Sequence, residues 1–206
     1  QQAVDNLAAA KVGWTVVHDV EHNHCRRWIY RPDRIATDPF GVHNVRAHMH
    51  PGHQSPDHIA PSGPADPDLS LLSIQSAEGR PVAVLANYAM HYYGTSPVSA
   101  DFCGRFGDRL ADLIGIEAGA PTFVGIMSQG TSGDSMWMDY SGPAPRRDLE
   151  KYTLEVAGVA HEAYQAIEYR RWVSLAMAET TIKLRRRTAD PQRLEWAQSV
   201  LAEMGD

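Results

Sequence analysis

Apolar positions in the chain follow two rhythms, and the boundary between them predicts most of its elements. Trp14-Thr15-Val16-Val17-His18 is a β-rich run, and Gly13 before it ends a helix tail read from Asp5 to Lys11. Leu69–Gln75 and Pro81–Met90 read as strands joined by the short turn Ala77-Glu78-Gly79-Arg80. Val82–Ala86 is apolar without alternation, as expected of a strand covered on both faces, and Pro121–Met127 is a second such run. Helical spacing takes over at Phe102, Phe106, Leu110 and Leu113, with Gly115 and Gly119 marking the end. Leu149, Tyr152, Val156, Val159, Ala163 and Ile167 trace one face of a longer helix. Val173-Leu175-Met177 alternates as a half-buried strand, and Pro191–Glu203 reads as a closing helix. Strands and helices mixed on this scale predict an α/β fold, a layered mixed β-sheet flanked by helices.

One stretch keeps neither rhythm. Seven of the 13 prolines fall between Arg31 and Pro67, together with Gly41, Gly52 and Gly63. Proline removes backbone donors and blocks helix, so a long irregular loop excursion is expected there. Excursions of that length in compact domains are usually functional or disordered. This one holds His43, His48, His50, His53 and His58, which favours function. Including His22-x-His24, eight of the 10 histidines precede residue 59. A His-x-His pair on a strand turns both rings to one face, which suits metal binding, while histidines in a surface loop commonly bind nothing.

Composition narrows the class. The 206 residues are 43% hydrophobic and 21% charged, ordinary for a globular chain. With 19 Lys+Arg against 25 Asp+Glu, the net charge of -6 argues against a dedicated nucleic-acid binder. No apolar run approaches the ~20 residues of a membrane span, which leaves peripheral lipid contact open. Cys25 and Cys103 allow one disulfide or two buried thiols, and Leu184-Arg185-Arg186-Arg187 reads as the solvated end of a strand. The chain opens Gln1-Gln2-Ala3 without a basic-then-apolar leader and stops in or just past a helix, so it reads as a piece of a longer protein.

Two segments concentrate candidate chemistry, each directly after an apolar strand, where ligand sites of α/β sheets tend to lie. Asn87-Tyr88-Ala89-Met90-His91-Tyr92-Tyr93-Gly94 offers an imidazole able to ligate zinc or move a proton, or to sit hydrogen-bonded among core aromatics. Ser128-Gln129-Gly130-Thr131-Ser132-Gly133-Asp134-Ser135-Met136-Trp137 offers small residues that let backbone N–H groups approach an oxyanion, or that simply make turns. Both can line one cleft.

Three motifs carry a family resemblance: Val84-Leu85-Ala86-Asn87-Tyr88-Ala89-Met90-His91, Ser99-Ala100-Asp101-Phe102-Cys103-Gly104 and Gln129-Gly130-Thr131-Ser132-Gly133-Asp134. Together they resemble the neutral/alkaline non-lysosomal ceramidases, most strongly from Asp66 to Tyr140 and weakly after Leu149. The resemblance implies that residues 1–206 are part of a catalytic domain. It further implies a zinc-dependent amidohydrolase that cleaves the amide of N-acyl sphingoid bases or a related lipid amide. His91 matches the family's second zinc histidine, and Asp101 and Gly104 match the motif that follows it. Gly133-Asp134 matches the loop carrying a serine near the zinc. The implied catalytic residues are Asp134 and Ser135. The implied substrate contacts are Arg26, Gln129, Gly130, Gly133 and Asp101. In strict register the loop serine falls at Met136, Ser135 stands one place early, and Trp137 replaces a proline. Cys25 stands where asparagine precedes the family's arginine. The resemblance puts the first zinc histidine before Gln1 and the glutamate and tyrosine ligands after Asp206. Export is common in that family. A non-catalytic binding module of the same fold, or a zinc hydrolase of another amide or ester, are the alternatives.

Overall fold

The computed structural model describes residues 2–205 apart from 97, 118–122 and 187. Four strands form the main sheet: β1 (Ala10–His18), β8 (Asp68–Ser76), β9 (Pro81–Tyr88) and β10 (Val124–Gln129), in the order β1-β8-β9-β10. The first two pairings are antiparallel, while β10 runs parallel to β9. A parallel neighbour requires a crossover, and helix α2 (Asp101–Ile114) lies on that connection. Helix α3 (Leu149–Gln165) packs beside it, its first turn capped by the Asp148 side chain accepting from Lys151 N at 3.0 Å. The remaining helices are a short α1 (Gln2–Asp5) and α4 (Pro191–Met204).

Between the helices and the sheet lies the core. Leu69 and Leu71 of β8, Val84, Ala86 and Tyr88 of β9, and Phe102, Phe106 and Leu110 of α2 are buried there with Val156 and Ala160 of α3. Each fully buried large side chain contributes about 1.5–3 kcal/mol. Helix α2 approaches β10 at backbone contact, because Gly107 faces Gly125 and neither has a side chain to intervene.

The opposite face of the sheet is open. Trp14 is 50% exposed, Leu85 41% and Ile126 50%, so β9 and β10 alternate between core and surface. The expectation of strands covered on both faces is therefore corrected: the apolar runs belong to a sheet with one bare apolar side. Residues 121–122 and Gly119 lie outside the described residues, as does Arg187.

Gly13 does not end a helix. It lies within β1, where a Cβ would meet Ile167 Cγ2 at 2.3 Å, so it is glycine to let the chain after α3 cross the strand. That crossing is an isolated bridge between Val12 and Arg170. Beyond it no strand forms among the described residues up to Asp190. Leu175 and Met177 are fully out in solvent, which corrects the expected half-buried strand. Helix α3 closes at Gln165, and Ile167 still reaches the core.

The excursion is not structureless. Strand β3 (Arg27–Tyr30) pairs with β6 (Ala47–Met49) and β7 (His58–Pro61), and β4 (Ala36–Thr37) pairs with β5 (His43–Val45). No residue from 31 to 67 is buried. Tyr30, His48 and His58 stack on one another there, with ring centroids 4.5–5.6 Å apart. The excursion is tied back by β2 (His24–Cys25), which pairs with β11 (Ser135–Met136) just after β10.

Candidate functional site

Both loops singled out by sequence leave the same end of the parallel pair β9/β10. The Gln129–Gly130 loop crosses directly over the end of β9. Gly130 N donates to Tyr88 O at 2.9 Å and Gln129 Nε2 to Met90 O at 3.2 Å. A side chain at 130 would press on Ala89 N and Cα at 3.1–3.2 Å, so the crossing favours glycine. Farther along, Arg26 holds the loop from the other side. Its Nε and Nη2 donate to Gly133 O at 3.2 and 2.9 Å, and its backbone N donates to Asp134 O at 2.7 Å. Five N–H groups in a rigid fork make arginine suited to such multiple engagement.

His91 sits at this mouth, its ring tilted against Tyr92 at 4.2 Å. Its Nδ1 is buried and has no hydrogen-bond partner among the described residues. Burial, and after it the nearby Arg26 charge, push its pKa below that of an ordinary imidazole. Asp101 contributes a smaller opposing pull. Its carboxylate accepts from Tyr93 N, Gly94 N, Thr95 N and Phe102 N at 2.6–3.0 Å, so both oxygens are spent on the loop that follows His91. Beside this loop a cleft of about 510 Å³ opens between Tyr92, Ser99, Cys103 and the end of β10 at Met127 and Gln129.

The structure distributes the expected site residues unevenly. His91, Arg26, Gln129, Gly130, Gly133 and Asp101 come together at the strand ends. Asp134 is exposed there, its carbonyl engaged by Arg26 and its carboxylate free among the described residues. Ser135 is 0% exposed, paired through β11 with Cys25, and its Oγ is buried without a partner among the described residues. Gly104 lies on the exposed side of α2. Cys25 and Cys103 are free thiols.

Sequence reasoning singled out His50 and His22 only as members of histidine clusters and missed the partners that the structure gives them. His50 reaches the site from the excursion: its Nε2 lies 3.4 Å from Arg26 Nη1, and its Nδ1 bonds Tyr140 Oη. Arginine only donates, so Nε2 accepts and Nδ1 carries the proton toward the tyrosine. The second group underlies another cleft, about 450 Å³ in volume, between His22, Trp137 and the start of α3. Asp19, 3% exposed, binds His22 Nδ1 at 2.8 Å and accepts from Tyr88 Oη at 3.0 Å. The paired histidine motifs are split apart. His22 faces Asp19 while His24 Nε2 bonds Glu21 O, and His48 stacks on Tyr30 while His50 turns to Tyr140. Among the described residues no group of three His, Cys, Asp or Glu side chains could hold a metal ion.

No protein-family model matches the chain, and no curated protein sequence does. Among the solved structures that match the chain are two ceramidases. One is the neutral ceramidase from Pseudomonas aeruginosa, at 16% identity and a TM-score of 0.49, covering 81% of this chain and 24% of that one. The other is a ceramidase complexed with C2, at 15% identity and a TM-score of 0.50, covering 81% of this chain and 23% of that one. The chain thus spans about a quarter of the length of these ceramidases. The likeness is one of fold: a ceramidase-like α/β arrangement.

Proposed function

We propose that residues 1–206 are part of the catalytic domain of a zinc-dependent amidohydrolase acting on an N-acyl sphingoid base or a related lipid amide. One observation carries this reading: a buried imidazole nitrogen on His91, left without a partner among the described residues at the mouth of the β9/β10 pair. Buried polar atoms are almost always satisfied, so an orphan of this kind suits a metal ligand. His91 fits zinc as a single ligand. Catalytic zinc takes about three protein ligands, so the others belong to the complete protein.

When bound, the metal lowers the pKa of its water and polarises the scissile carbonyl. This chain's own residues supply binding and orientation. Arg26, fixed by Gly133 O and His50, keeps two N–H groups free for a substrate carbonyl or headgroup oxygen. Gln129, Gly130 and Gly133 shape the floor, and the exposed Asp134 carboxylate is placed to take a proton or a hydroxyl hydrogen bond from the substrate. The apolar stretch of the cleft beside Tyr92 and Met127 suits part of a lipid chain. Peripheral membrane contact and export belong to the same reading, and no described helix is long and apolar enough to cross a membrane. The full burial of Ser135 favours a second reading, a non-catalytic binding module, because a serine at 0% exposure touches no substrate.

The test uses the complete protein. Zinc content and hydrolysis of a short-chain N-acyl sphingosine are measured for the wild type and for His91→Ala. Loss of both in the variant is expected. Unchanged zinc content would remove His91 from the ligand set, and a zinc-loaded protein inert toward a panel of amides and esters would leave the binding module.

A further inference from the structure

We infer that Asp101, Trp137 and Arg147 form a clamp on the Tyr93 and Gly94 peptide groups that positions the His91 imidazole for its metal. The inference rests on the functional reading above; it gives Asp101 a positioning role in place of the implied substrate contact, because both its oxygens are spent on backbone N–H groups, and it adds Trp137 and Arg147.

The clamp grips the same two peptide groups from opposite sides. On the N–H side, one carboxylate takes everything: Tyr93 N reaches Asp101 Oδ1 at 2.6 Å, and Gly94 N and Thr95 N reach Oδ2 at 3.0 and 2.9 Å. The Thr95 hydroxyl adds a bond at 3.0 Å. On the carbonyl side, Trp137 Nε1 donates to Tyr93 O at 3.1 Å, while Arg147 Nη2 donates to Tyr93 O at 3.3 Å and to Gly94 O at 2.5 Å. The Trp137 ring stacks on Tyr93 at 4.4 Å, and the Tyr93 hydroxyl accepts from Asp148 N at 2.7 Å. An anion on the donors and a cation on the acceptors is the arrangement that best stabilises a fixed pair of peptide dipoles.

Two positive φ angles accompany the arrangement, one free of strain at a glycine and one at Asp101. Gly94 has φ +96 and Asp101 φ +51, the latter unusual for a residue bearing a side chain. A Cβ at Gly94 would stand 3.2 Å from Arg147 Nη2.

The consequence falls on His91. Upstream, Tyr88, Ala89 and Met90 are buried and Met90 O is held by Gln129. Downstream, the clamp begins at Tyr93. Only His91 and Tyr92 span the gap, so the imidazole leaves a backbone fixed at both ends. Trp137 stands where the family resembled has proline, which lacks a side-chain donor. In this chain the substitution supplies the N–H that ties the Gly133–Trp137 loop to the His91 loop. Groups that orient a metal ligand without touching the metal typically matter 10–100-fold in affinity.

The experiment measures zinc affinity of the complete protein by chelator competition, with thermal unfolding of the zinc-free form alongside. Trp137→Phe keeps the stacked ring and removes the N–H; Asp101→Asn keeps one oxygen and removes the charge. Zinc affinity about 10-fold weaker in Trp137→Phe and about 100-fold weaker in Asp101→Asn is expected. Hydrogen exchange at the Tyr93–Thr95 amides should quicken in both. If Asp101→Asn fails to fold, Thr95→Val takes its place with a smaller loss. Wild-type affinity in folded clamp variants, while His91→Ala loses zinc, overturns the clamp and leaves the functional reading standing. Unchanged zinc in His91→Ala as well overturns both.

Discussion

From Asp68 to Gln165 the chain folds by burial: strands and helices meet over side chains with no exposure, among them Leu69, Phe106 and Val156. From Arg31 to Pro67 no residue is buried as a whole, and ring stacks, short ladders and bonds to distant loops do the holding. Apolar burial fixes position through many weak contacts, so it tolerates little change. Stacked rings and exposed bonds fix only the points they touch. The excursion can therefore vary in sequence while still delivering His50 to Arg26, and the sheet cannot vary without moving His91.

The largest break in this contrast is expected from Phe106→Ala. It empties a site at 0% exposure and should cost about 3–5 kcal/mol in urea denaturation. A loss below about 1 kcal/mol would mean that the helices are not held by packing. Next comes Tyr88→Phe, which keeps the ring and removes the hydroxyl that donates to buried Asp19; about 1–3 kcal/mol is expected in the same assay. In the excursion, Tyr30→Ala removes the ring that stacks on His48 and His58 and should cost only about 0.5–1.5 kcal/mol. A cost equal to that of Phe106→Ala would erase the distinction between the regions.

The smallest effect is one of pH. The hydrogen bond to Asp19 outweighs burial and raises the His22 pKa above 6.5. Burial is the largest single influence on Asp19 and pushes it up. The bond and charge of His22, together with the Tyr88 O–H and Glu21 N–H bonds, outweigh it, and its pKa falls below 3.8. The His22 contribution is thus complete below the unfolded value of 6.5 and drains as pH rises through the raised folded value. The Asp19 contribution is present above 3.8 and lost as pH falls through its lowered value. As pH rises from the unfolded value of 6.5 through the raised folded value, the wild type should lose stability relative to His22→Gln. Parallel denaturation midpoints for the two proteins would show that His22 gains no proton affinity on folding.

Much of the buried half was legible because its pattern is local. Phe102, Phe106 and Leu110 repeat at helical spacing, and Leu69 and Leu71 alternate, so α2 and β8 can be placed without a partner in view. Coverage was not legible: Val82–Ala86 reads as buried on both sides, yet what lies over a sheet face is a tertiary fact. The same holds for Val173–Met177, whose alternation stays unpaired among the described residues after the Arg170 bridge. At the site, His91 and Gly130 could be found because each directly follows an apolar strand. The pairing of His50 with Tyr140, 90 residues apart, leaves no local trace. Nor does the inward turn of Ser135, which depends on β11 meeting Cys25.

The contact of Gly107 with Gly125 reaches further than the packing it permits. A methyl group on either residue would stand within 2.5–2.8 Å of the other's backbone, so the pair acts as a shim of zero thickness under α2. Six residues upstream, about 9 Å along the axis, the same helix begins with Asp101. Thickening the shim would tip the helix like a lever and swing its acidic end away from Tyr93. The placement of the loop that carries His91 would then be adjustable from beneath the helix, by residues that carry no chemistry of their own.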